Sequence, residues 1–313
     1  MANTFNKIKK FDYLDSNDEA QILCLGFFDS IHKGHLRIIN EAKVLAHRYN
    51  AKVSLFTFSN NPLKMFNNSK LVYTFDERCY VLQEIGVDYV YSANFDIDFC
   101  SQRKKEFLDS IISNKNIKAV VCGSDYTFGV NREGNAQYLI EYCSNIGIQV
   151  KVVDLVMYKN HKMASTDIRK SVKNGDINAM NAILSMPYIV EGVVVRGRGV
   201  GAKELVATAN IEISQDKEKL GPGVYYTNVI YNGIRFRSVT NVGSQPTYNE
   251  SKYIIETHIL YFNKDIYDKK IIVEFIEKIR DVQKFENKAQ LKEQILKDIQ
   301  YVNSQNGGYD LDD

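Results

Sequence analysis

The chain has 313 residues, of which 44% are hydrophobic, 12% aromatic and 25% charged; this composition is typical of globular proteins, and the length predicts two domains, each with its own core. The formal net charge is only +2 and the basic residues are scattered, so charge gives no support for a nucleic-acid or membrane partner. The first ten residues lack the apolar core of a signal sequence, and no run is long enough to span a bilayer.

The first half of the chain alternates short apolar runs with helical patterns such as His35–Tyr49 and Asp76–Ile85. The apolar runs predict buried strands at Ile22–Phe27, Val53–Phe58, Tyr89–Tyr91, Ala119–Cys122 and Val150–Met157. Such alternation predicts a parallel sheet covered by helices. Ligands of these sheets bind beyond the carboxyl ends of the strands, at a topological switch point.

The pattern changes in the second half. A short helix is predicted between Asp176 and Ser185, and strand-like runs separated by turns follow Pro187. These runs predict an antiparallel sheet or barrel with strands at Tyr188–Val195, Val224–Tyr231, Ile234–Asn241, Tyr253–Tyr261 and Lys270–Phe275. A last amphipathic helix is predicted at about 287–302, before an acidic tail, 306–313, predicted to be disordered. The boundary near 180–187 gives domains of 1–185 and 186–305.

The cysteines predict a reducing compartment. They are odd in number and include no C-x-x-C pair, and several lie in apolar runs. The five are Cys24, Cys79, Cys100, Cys122 and Cys143. We therefore expect a cytoplasmic protein.

The loop Gly26–His35 joins the first predicted strand to a helix. His32 and His35 lie beside the free backbone N–H groups and the positive dipole of the helix start, where a nucleotide phosphate is best held. Imidazoles there can donate hydrogen bonds to charge that develops on a phosphoryl oxygen, which predicts nucleotidyl transfer. Two polar loop histidines are the alternative, because four-residue motifs also match by chance.

Two further segments can bind the substrates of such a reaction. Ser165 or Thr166 can cap a predicted helix, with Arg169 one turn further on, so hydroxyl, N–H groups and guanidinium converge on one anion. The segment Gly123–Gly129 follows another strand end and offers an aromatic pair and a carboxylate to a planar ring. Taken alone, the first segment is more commonly an ordinary helix N-cap with a solvated arginine. The second is equally a glycine-bounded loop with core aromatics.

Together the motifs resemble a known family. GFFDSIHKGH, GSDYTFGVNREG and ASTDIRKSVKNGD, followed by ATAN, GVY, NVGSQPTY and ETHIL, resemble the prokaryotic bifunctional riboflavin kinase/FMN adenylyltransferases, also called FAD synthetases. The resemblance implies an α/β Rossmann-like nucleotidyltransferase domain followed by a small antiparallel β-barrel domain with a C-terminal helix. It implies that riboflavin and ATP give FMN and ADP, and that FMN and ATP give FAD and pyrophosphate.

For adenylyl transfer, the resemblance assigns ATP and flavin contacts. ATP binding is implied for Gly26, Phe28, Asp29, His32, Gly34, His35, Ser165, Thr166 and Arg169, with His32, His35 and Arg169 catalytic. Flavin binding is implied for Asn61, Gly123, Asp125 and Phe128. Because the FMN phosphate is already a nucleophile, the reaction needs positioning and charge stabilisation but no base.

Phosphorylating riboflavin is different, because an alcohol must lose its proton as it attacks the γ-phosphate. The resemblance assigns the base to Glu256. It places Mg²⁺ and ATP phosphates at Thr208 and Asn210, whose oxygens suit this cation. A phosphate-covering loop is implied at Gly197, Gly199 and Gly201.

The chain departs from the family pattern at three places. Residues 201–210 read GAKELVATAN instead of the usual Gly-Arg-x-Leu-Gly-Phe-Pro-Thr-Ala-Asn, Ser30 replaces a glycine, and Phe58–Pro62 replaces an acidic-Pro-His-Pro element. The first departure leaves open a single-activity FMN adenylyltransferase with an impaired kinase domain. The further alternatives are another nucleotidyltransferase with a binding β domain and a non-catalytic flavin-binding protein, which would need neither the paired histidines nor Arg169. A class I aminoacyl-tRNA synthetase also uses a His-x-Gly-His element, but the chain shows no basic RNA-binding domain or lysine-rich second motif.

Overall fold

The structure is a computed structural model, and it describes residues 8–154, 157–158, 161–162, 164–196, 207–246 and 251–305. The chain divides into two compact units, 1–165 and 166–313. The predicted glycine loop of Gly197, Gly199 and Gly201 and the predicted disordered tail, 306–313, lie outside the described residues.

The N-terminal unit is built on a parallel sheet. Its strands and short antiparallel pairs are β1 Lys9–Asp12, β2 Asn17–Leu25, β3 Lys52–Phe58, β4 Tyr89–Ala93, β5 Lys115–Gly123, β6 Thr127–Phe128, β7 Gly134–Asn135, β8 Gln149–Val153, β9 Met157–Tyr158 and β10 His161–Lys162. The six-stranded sheet has the order β1-β4-β3-β2-β5-β8. The parallel sheet is therefore confirmed. The sequence pattern missed β1, because its residues KKFD are mostly polar and it pairs only with β4 at the sheet edge.

The sheet order places the topological switch point between β2 and β5. The chain runs from β2 through β3 to β4 on one side, and returns to β5 and β8 on the other. Leu25, at the carboxyl end of β2, pairs with Phe56 on β3 and with Cys122 on β5. The loops after β2 and β5 therefore open at the same crevice, where ligands of such sheets bind.

The described residues form helices α1 Lys33–Tyr49, α2 Leu63–Phe66, α3 Phe75–Glu84, α4 Ile97–Ser101, α5 Lys104–Ile112, α6 Ala136–Asn145, α7 Ser165–Asn174, α8 Ile177–Ile183 and α9 Lys288–Ser304. Helix α1 is amphipathic, since it buries Ile38, Ile39, Ala42, Leu45 and Ala46 at helical spacing. It ends at Asn50, which adopts the left-handed conformation that helix ends favour. Helix α3 starts with a capping box of Thr74 and Glu77.

The second unit contains the barrel. Strands β11 Tyr188–Val195, β12 Ala209–Ile213, β13 Gly223–Tyr231, β14 Ile234–Pro246, β15 Ser251–Ile259 and β16 Lys270–Arg280 close an antiparallel barrel in the order β11-β12-β15-β14-β13-β16. Helix α9 packs Val302 against Val224, Tyr226 and Val239. The expected barrel with its C-terminal helix is confirmed.

Helices α7 and α8 pack within the second unit. The Gly221 N–H donates to the Val172 carbonyl of α7 (2.8 Å), and the Asn181 carboxamide of α8 donates to the Phe275 carbonyl of β16 (3.0 Å). The boundary between the two units, as defined by residue contacts, therefore falls between residues 165 and 166. This is twenty residues before the boundary that the sequence pattern suggested.

We propose that the units fold separately and that α7 and α8 stabilise the barrel. A fragment that starts at residue 166 should melt cooperatively at least about 5 °C above one that starts at residue 186, because the shorter fragment loses the buried side chains of Ile168, Val172, Ile177, Met180 and Ile183. Thermal unfolding followed by circular dichroism measures the difference. Equal melting temperatures would assign these helices no stabilising role in the barrel.

Candidate active sites

His32 and His35 form a stacked pair at the start of α1. Nδ1 of His32, the N-cap residue, accepts a hydrogen bond from the His35 backbone N–H (3.2 Å). The ring centroids are 3.8 Å apart with 6° between the ring planes. A backbone N–H can only donate, so Nδ1 of His32 is unprotonated and its neutral ring carries the proton on Nε2. The pair therefore presents a hydrogen-bond donor at a helix N-terminus, as phosphate binding requires.

Close packing shapes the loop that precedes the histidines. A Cβ at Gly26 would lie 2.7 Å from the Phe28 ring, so only glycine fits there. Phe28 is fully buried, and the buried Asp29 carboxylate accepts the Val72 N–H (3.1 Å). Phe28 and Asp29 are absent from the described lining of the cavity beside this loop. They shape the loop, and their contact with ATP stays a prediction.

Ser30 contributes to the site in a way that the sequence analysis missed. Its buried Oγ lies 3.0 Å from Oγ of Ser165, the first residue of α7. The serine that replaces the family's glycine therefore links the loop Gly26–His35, called here the histidine loop, to Ser165 within the first unit. Thr166 and Arg169 lie in the second unit by contacts, and their role toward the histidines stays a prediction.

One cavity of about 780 Å³ joins the histidine loop to an aromatic wall. Of the predicted site residues, it is lined by Gly26, His32, Gly34, His35, Gly123, Asp125, Phe128 and Ser165. Its volume is within the usual range of about 300–1,000 Å³ for small-molecule sites. The structure therefore brings the ATP and flavin motifs of this unit to one cavity.

The wall of this cavity consists mainly of aromatic rings that the sequence analysis did not name. Tyr126 and Phe128 stack with centroids 5.5 Å apart. Their neighbours along the cavity are Phe27, Phe56, Phe58, Phe66, Phe95, Phe99 and Phe107. These rings come from segments far apart in the chain, so only the sheet order could have located them. Such a wall suits a planar heteroaromatic ring.

Asn61 and Gly123 have mainly structural contacts. The buried Asn61 carboxamide donates to the Ser69 carbonyl (2.9 Å) and accepts the Leu63 N–H (3.0 Å). Asn61 is not among the described residues that line the cavity, and its flavin contact stays a prediction. At Gly123, a Cβ would lie 2.9 Å from the Asp125 carboxylate, so glycine lets that carboxylate fold back over the strand end.

Glu256 lies between two asparagines on the barrel. It pairs with Asn210 of β12 on one side and with Asn241 of β14 on the other. Directly opposite residues of antiparallel strands share a face, so both carboxamides flank the carboxylate. Burial raises the pKa of Glu256, which makes its carboxylate a better proton acceptor. Asn241 is a candidate that the sequence analysis missed, because its position opposite Glu256 depends on strand register.

Thr208 lines a second cavity, of about 340 Å³, with Ala207, Ala209 and Thr257. The Ala207 carbonyl lies 2.8 Å from Nδ1 of His258. A carbonyl can only accept, so this imidazole nitrogen carries a proton and donates it. His258, two residues after Glu256, thus holds Ala207, which directly precedes Thr208.

The fold and the two sites define a class of protein. An α/β unit with a histidine pair at its switch point, followed by a barrel with a flanked carboxylate, is a two-site enzyme for nucleotidyl and phosphoryl transfer. Residues 14–167 match the sequence model of the FAD synthetase family, and residues 184–305 match that of the riboflavin kinase family.

Full-length relatives link the two matches. The chain is 31% identical over 297 residues to a bifunctional riboflavin kinase/FMN adenylyltransferase of Buchnera aphidicola, covering 92% of this chain and 94% of the relative. It is 28% identical to the protein of the same name from Bacillus subtilis, covering 92% and 93%. The chain belongs to the bifunctional riboflavin kinase/FMN adenylyltransferase family, as its motifs indicated.

A solved structure covers both units. A crystal structure described as a macrolide-efflux protein from Streptococcus pneumoniae superposes with a TM-score of 0.82 and 27% identity, covering 96% of this chain and 99% of that one. That description belongs to the solved protein. In the part of the present chain that the structure describes, every helix is too short or too polar to cross a membrane.

Proposed function

We propose that the two reactions of FAD biosynthesis are divided between the two units, with His32 and His35 serving adenylyl transfer and Glu256 serving riboflavin phosphorylation. The chain is a bifunctional transferase, and ATP is its co-substrate in both reactions. The observation that supports this proposal is that the predicted motifs of the two reactions lie in different units. The histidine loop lines the cavity of the first unit, and Glu256 faces Asn210 and Asn241 on the barrel.

In the first unit, the FMN phosphate attacks the α-phosphorus of ATP. A bond forms between a phosphate oxygen and the α-phosphorus, and the bond from the α-phosphorus to the bridging oxygen breaks, so pyrophosphate leaves. The imidazole pair donates hydrogen bonds to the charge that develops on the phosphoryl oxygens. The aromatic wall with Tyr126 and Phe128 holds the isoalloxazine ring. This chemistry needs positioning and charge stabilisation, and no base.

In the barrel, the terminal hydroxyl of riboflavin attacks the γ-phosphorus of ATP, and ADP leaves. Glu256 accepts the hydroxyl proton as the new bond forms. The flanking carboxamides of Asn210 and Asn241 orient the carboxylate and the hydroxyl. The riboflavin kinase family match and the retained Thr208, Asn210 and Glu256 support kinase activity, despite the departures in residues 202–207.

Mg²⁺ fits the donor set of the barrel. Among the described residues, no group of three or more His, Cys, Asp or Glu side chains could hold a metal. Mg²⁺ in phosphate-transfer sites instead takes few protein oxygens and completes its shell with water and substrate phosphates. The hydroxyl of Thr208 and the carboxamide of Asn210 supply such oxygens. The cation would neutralise charge on the ATP phosphates there.

We infer that the protein works in the cytoplasm. All five cysteines are free thiols, and four of them are buried. Burial raises the pKa of Cys122 to about 12 and that of Cys143 to about 11, so both thiols stay protonated and unreactive at neutral pH. Such cysteines behave as small core hydrophobes, as a reducing compartment allows.

Incubation of the protein with riboflavin, ATP and Mg²⁺ tests the assignment. We expect FMN to form first and FAD to follow, with two ATP consumed for each FAD. Chromatographic separation of the flavins measures both steps. A protein that converts FMN to FAD but leaves riboflavin unchanged would contradict the kinase half, and the reverse result would contradict the adenylyltransferase half.

A further inference from the structure

Arg78 of helix α3 is a buried cation beside the histidine loop, and the mechanism above does not use it. Its side chain is fully buried, which is rare for arginine unless it is well partnered. The guanidinium donates from Nη1 to the Phe27 carbonyl (3.2 Å) and from Nη2 to the Phe58 carbonyl (2.6 Å). Nη1 also donates to the Thr57 hydroxyl, which in turn donates to the Phe27 carbonyl (2.7 Å).

The two carbonyls that Arg78 holds belong to different parts of the first cavity. Phe27 directly follows Gly26 in the histidine loop. Phe58 is the last residue of β3 and belongs to the aromatic wall. The centroids of the Phe27 and Phe58 rings lie 6.0 Å apart. One guanidinium therefore links the phosphate end of the cavity to its flavin end.

The histidine loop requires such restraints. Phe28 has φ of 54° and Ile31 has φ of 42°, and residues other than glycine keep this left-handed conformation only where their surroundings over-determine it. Asp29 supplies one restraint, because its carboxylate accepts the Val72 N–H. Arg78 supplies a second, from a helix whose own start is fixed by a capping box.

The surroundings of Arg78 also stabilise its charge. Burial lowers the pKa of Arg78 to about 10, and the Asp29 carboxylate opposes that shift, so the guanidinium is protonated at neutral pH. The guanidinium carbon lies 5.4 Å from the Phe27 ring centroid and 5.7 Å from that of Phe75, a cation–π geometry. Lysine would keep the charge but would lose the planar fork that bonds two carbonyls at once.

We propose that Arg78 is a positioning residue for adenylyl transfer: its guanidinium fixes the histidine loop against the carboxyl end of β3, so that ATP and FMN meet in one geometry. The inference rests on the adenylyltransferase function proposed above and assigns that site a residue that touches neither substrate. Arg78 acts through the loop that carries the histidines, so its effect should depend on an intact histidine pair.

A double-mutant cycle in the full-length protein tests the proposal. Arg78→Met should slow FMN adenylylation at least about tenfold, because small misplacements of reacting groups are costly. Arg78→Lys and Thr57→Val, which remove fewer of the bonds, should slow it less. In a His35→Ala background the cost of Arg78→Met should fall below about threefold, because both changes then disable the same step. Steady-state rates of FAD formation from FMN measure all four corners of the cycle.

Val87→Ala is the matched control for lost stability. Val87 is buried just before β4, at the amino ends of the parallel strands. The site lies beyond their carboxyl ends. The factor by which Val87→Ala slows adenylylation should be the same with and without His35. If the factor for Arg78→Met is also unchanged by His35→Ala, the proposal is overturned. Riboflavin phosphorylation in the same samples reports the concentration of folded barrel.

Two further results are possible: the Arg78→Met variant fails to fold, or the unmutated protein makes no FAD. If Arg78→Met does not fold, Arg78→Lys and Thr57→Val replace it in the double-mutant cycle. If the rate loss of each of these variants simply multiplies that of His35→Ala, the proposal is likewise overturned. If the unmutated protein makes no FAD from FMN, the proposed function fails and takes this inference with it. That result appears before any variant is compared.

Discussion

Replacing His35 with alanine is expected to slow the conversion of FMN to FAD by about ten- to a thousandfold, and His32→Ala should have a similar effect, in line with the loss of a preorganised hydrogen-bond donor. The stacked pair at the start of α1 lines the first cavity and presents a donor at a helix N-terminus. Riboflavin phosphorylation should remain intact, because its candidate residues lie on the barrel. Measuring both reactions in one preparation gives each variant an internal reference.

The matched control separates chemistry from folding. His32 is also the N-cap of α1, and loss of a cap typically costs about 0.5–2 kcal/mol of stability. His32→Asn retains a good cap without the imidazole, so it should restore the melting temperature but not the rate. A His35→Ala protein that makes FAD at the rate of the unmutated protein would rule out the assigned role.

Replacing Glu256 with glutamine is expected to slow FMN formation from riboflavin by about 10²–10⁴-fold, the usual contribution of a general base. Adenylylation of FMN should stay near normal, since that reaction needs no base. Glutamine retains the size of the side chain, so the barrel should fold unchanged. Glu212→Gln makes the same chemical change at an exposed position of β12 and should leave both rates unaltered.

The pH profile provides a second measurement of the same assignment. Burial raises the pKa of Glu256, so the carboxylate is lost as the pH falls through that raised value. The acid limb of riboflavin phosphorylation should therefore lie above the ordinary glutamate pKa of about 4.3 and should vanish from the residual activity of Glu256→Gln. An acid limb that persists unchanged in the variant would show that another group titrates.

The sequence by itself determined the features that are local in the chain. The alternation of apolar runs predicted the parallel sheet, and the strand-like runs after Pro187 predicted the barrel, because strand and helix periodicities are properties of neighbouring residues. The spacing of His32 and His35 after an apolar run predicted their place at a helix start. The strand of Ala209–Ile213 was missed by pattern.

The tertiary structure decided which distant residues meet. The aromatic wall depends on the strand order that brings segments around Phe58, Phe99 and Phe128 to one crevice. In the sequence Arg78 belongs to a predicted helix and to no site motif, and only the packing of α3 turns it toward the carbonyls of Phe27 and Phe58.

In the barrel, too, the sequence determined some features of single residues and the tertiary structure determined others. The resemblance identified Glu256, but its place between Asn210 and Asn241 follows from strand register. A shift of one residue in register would turn the neighbouring side chains to the opposite face. Residue identity and local spacing are written in the chain, whereas register, helix rotation and strand order are settled by the packing of the whole unit. That physical difference is why candidate catalytic groups could be named from the sequence and most of their surroundings could not.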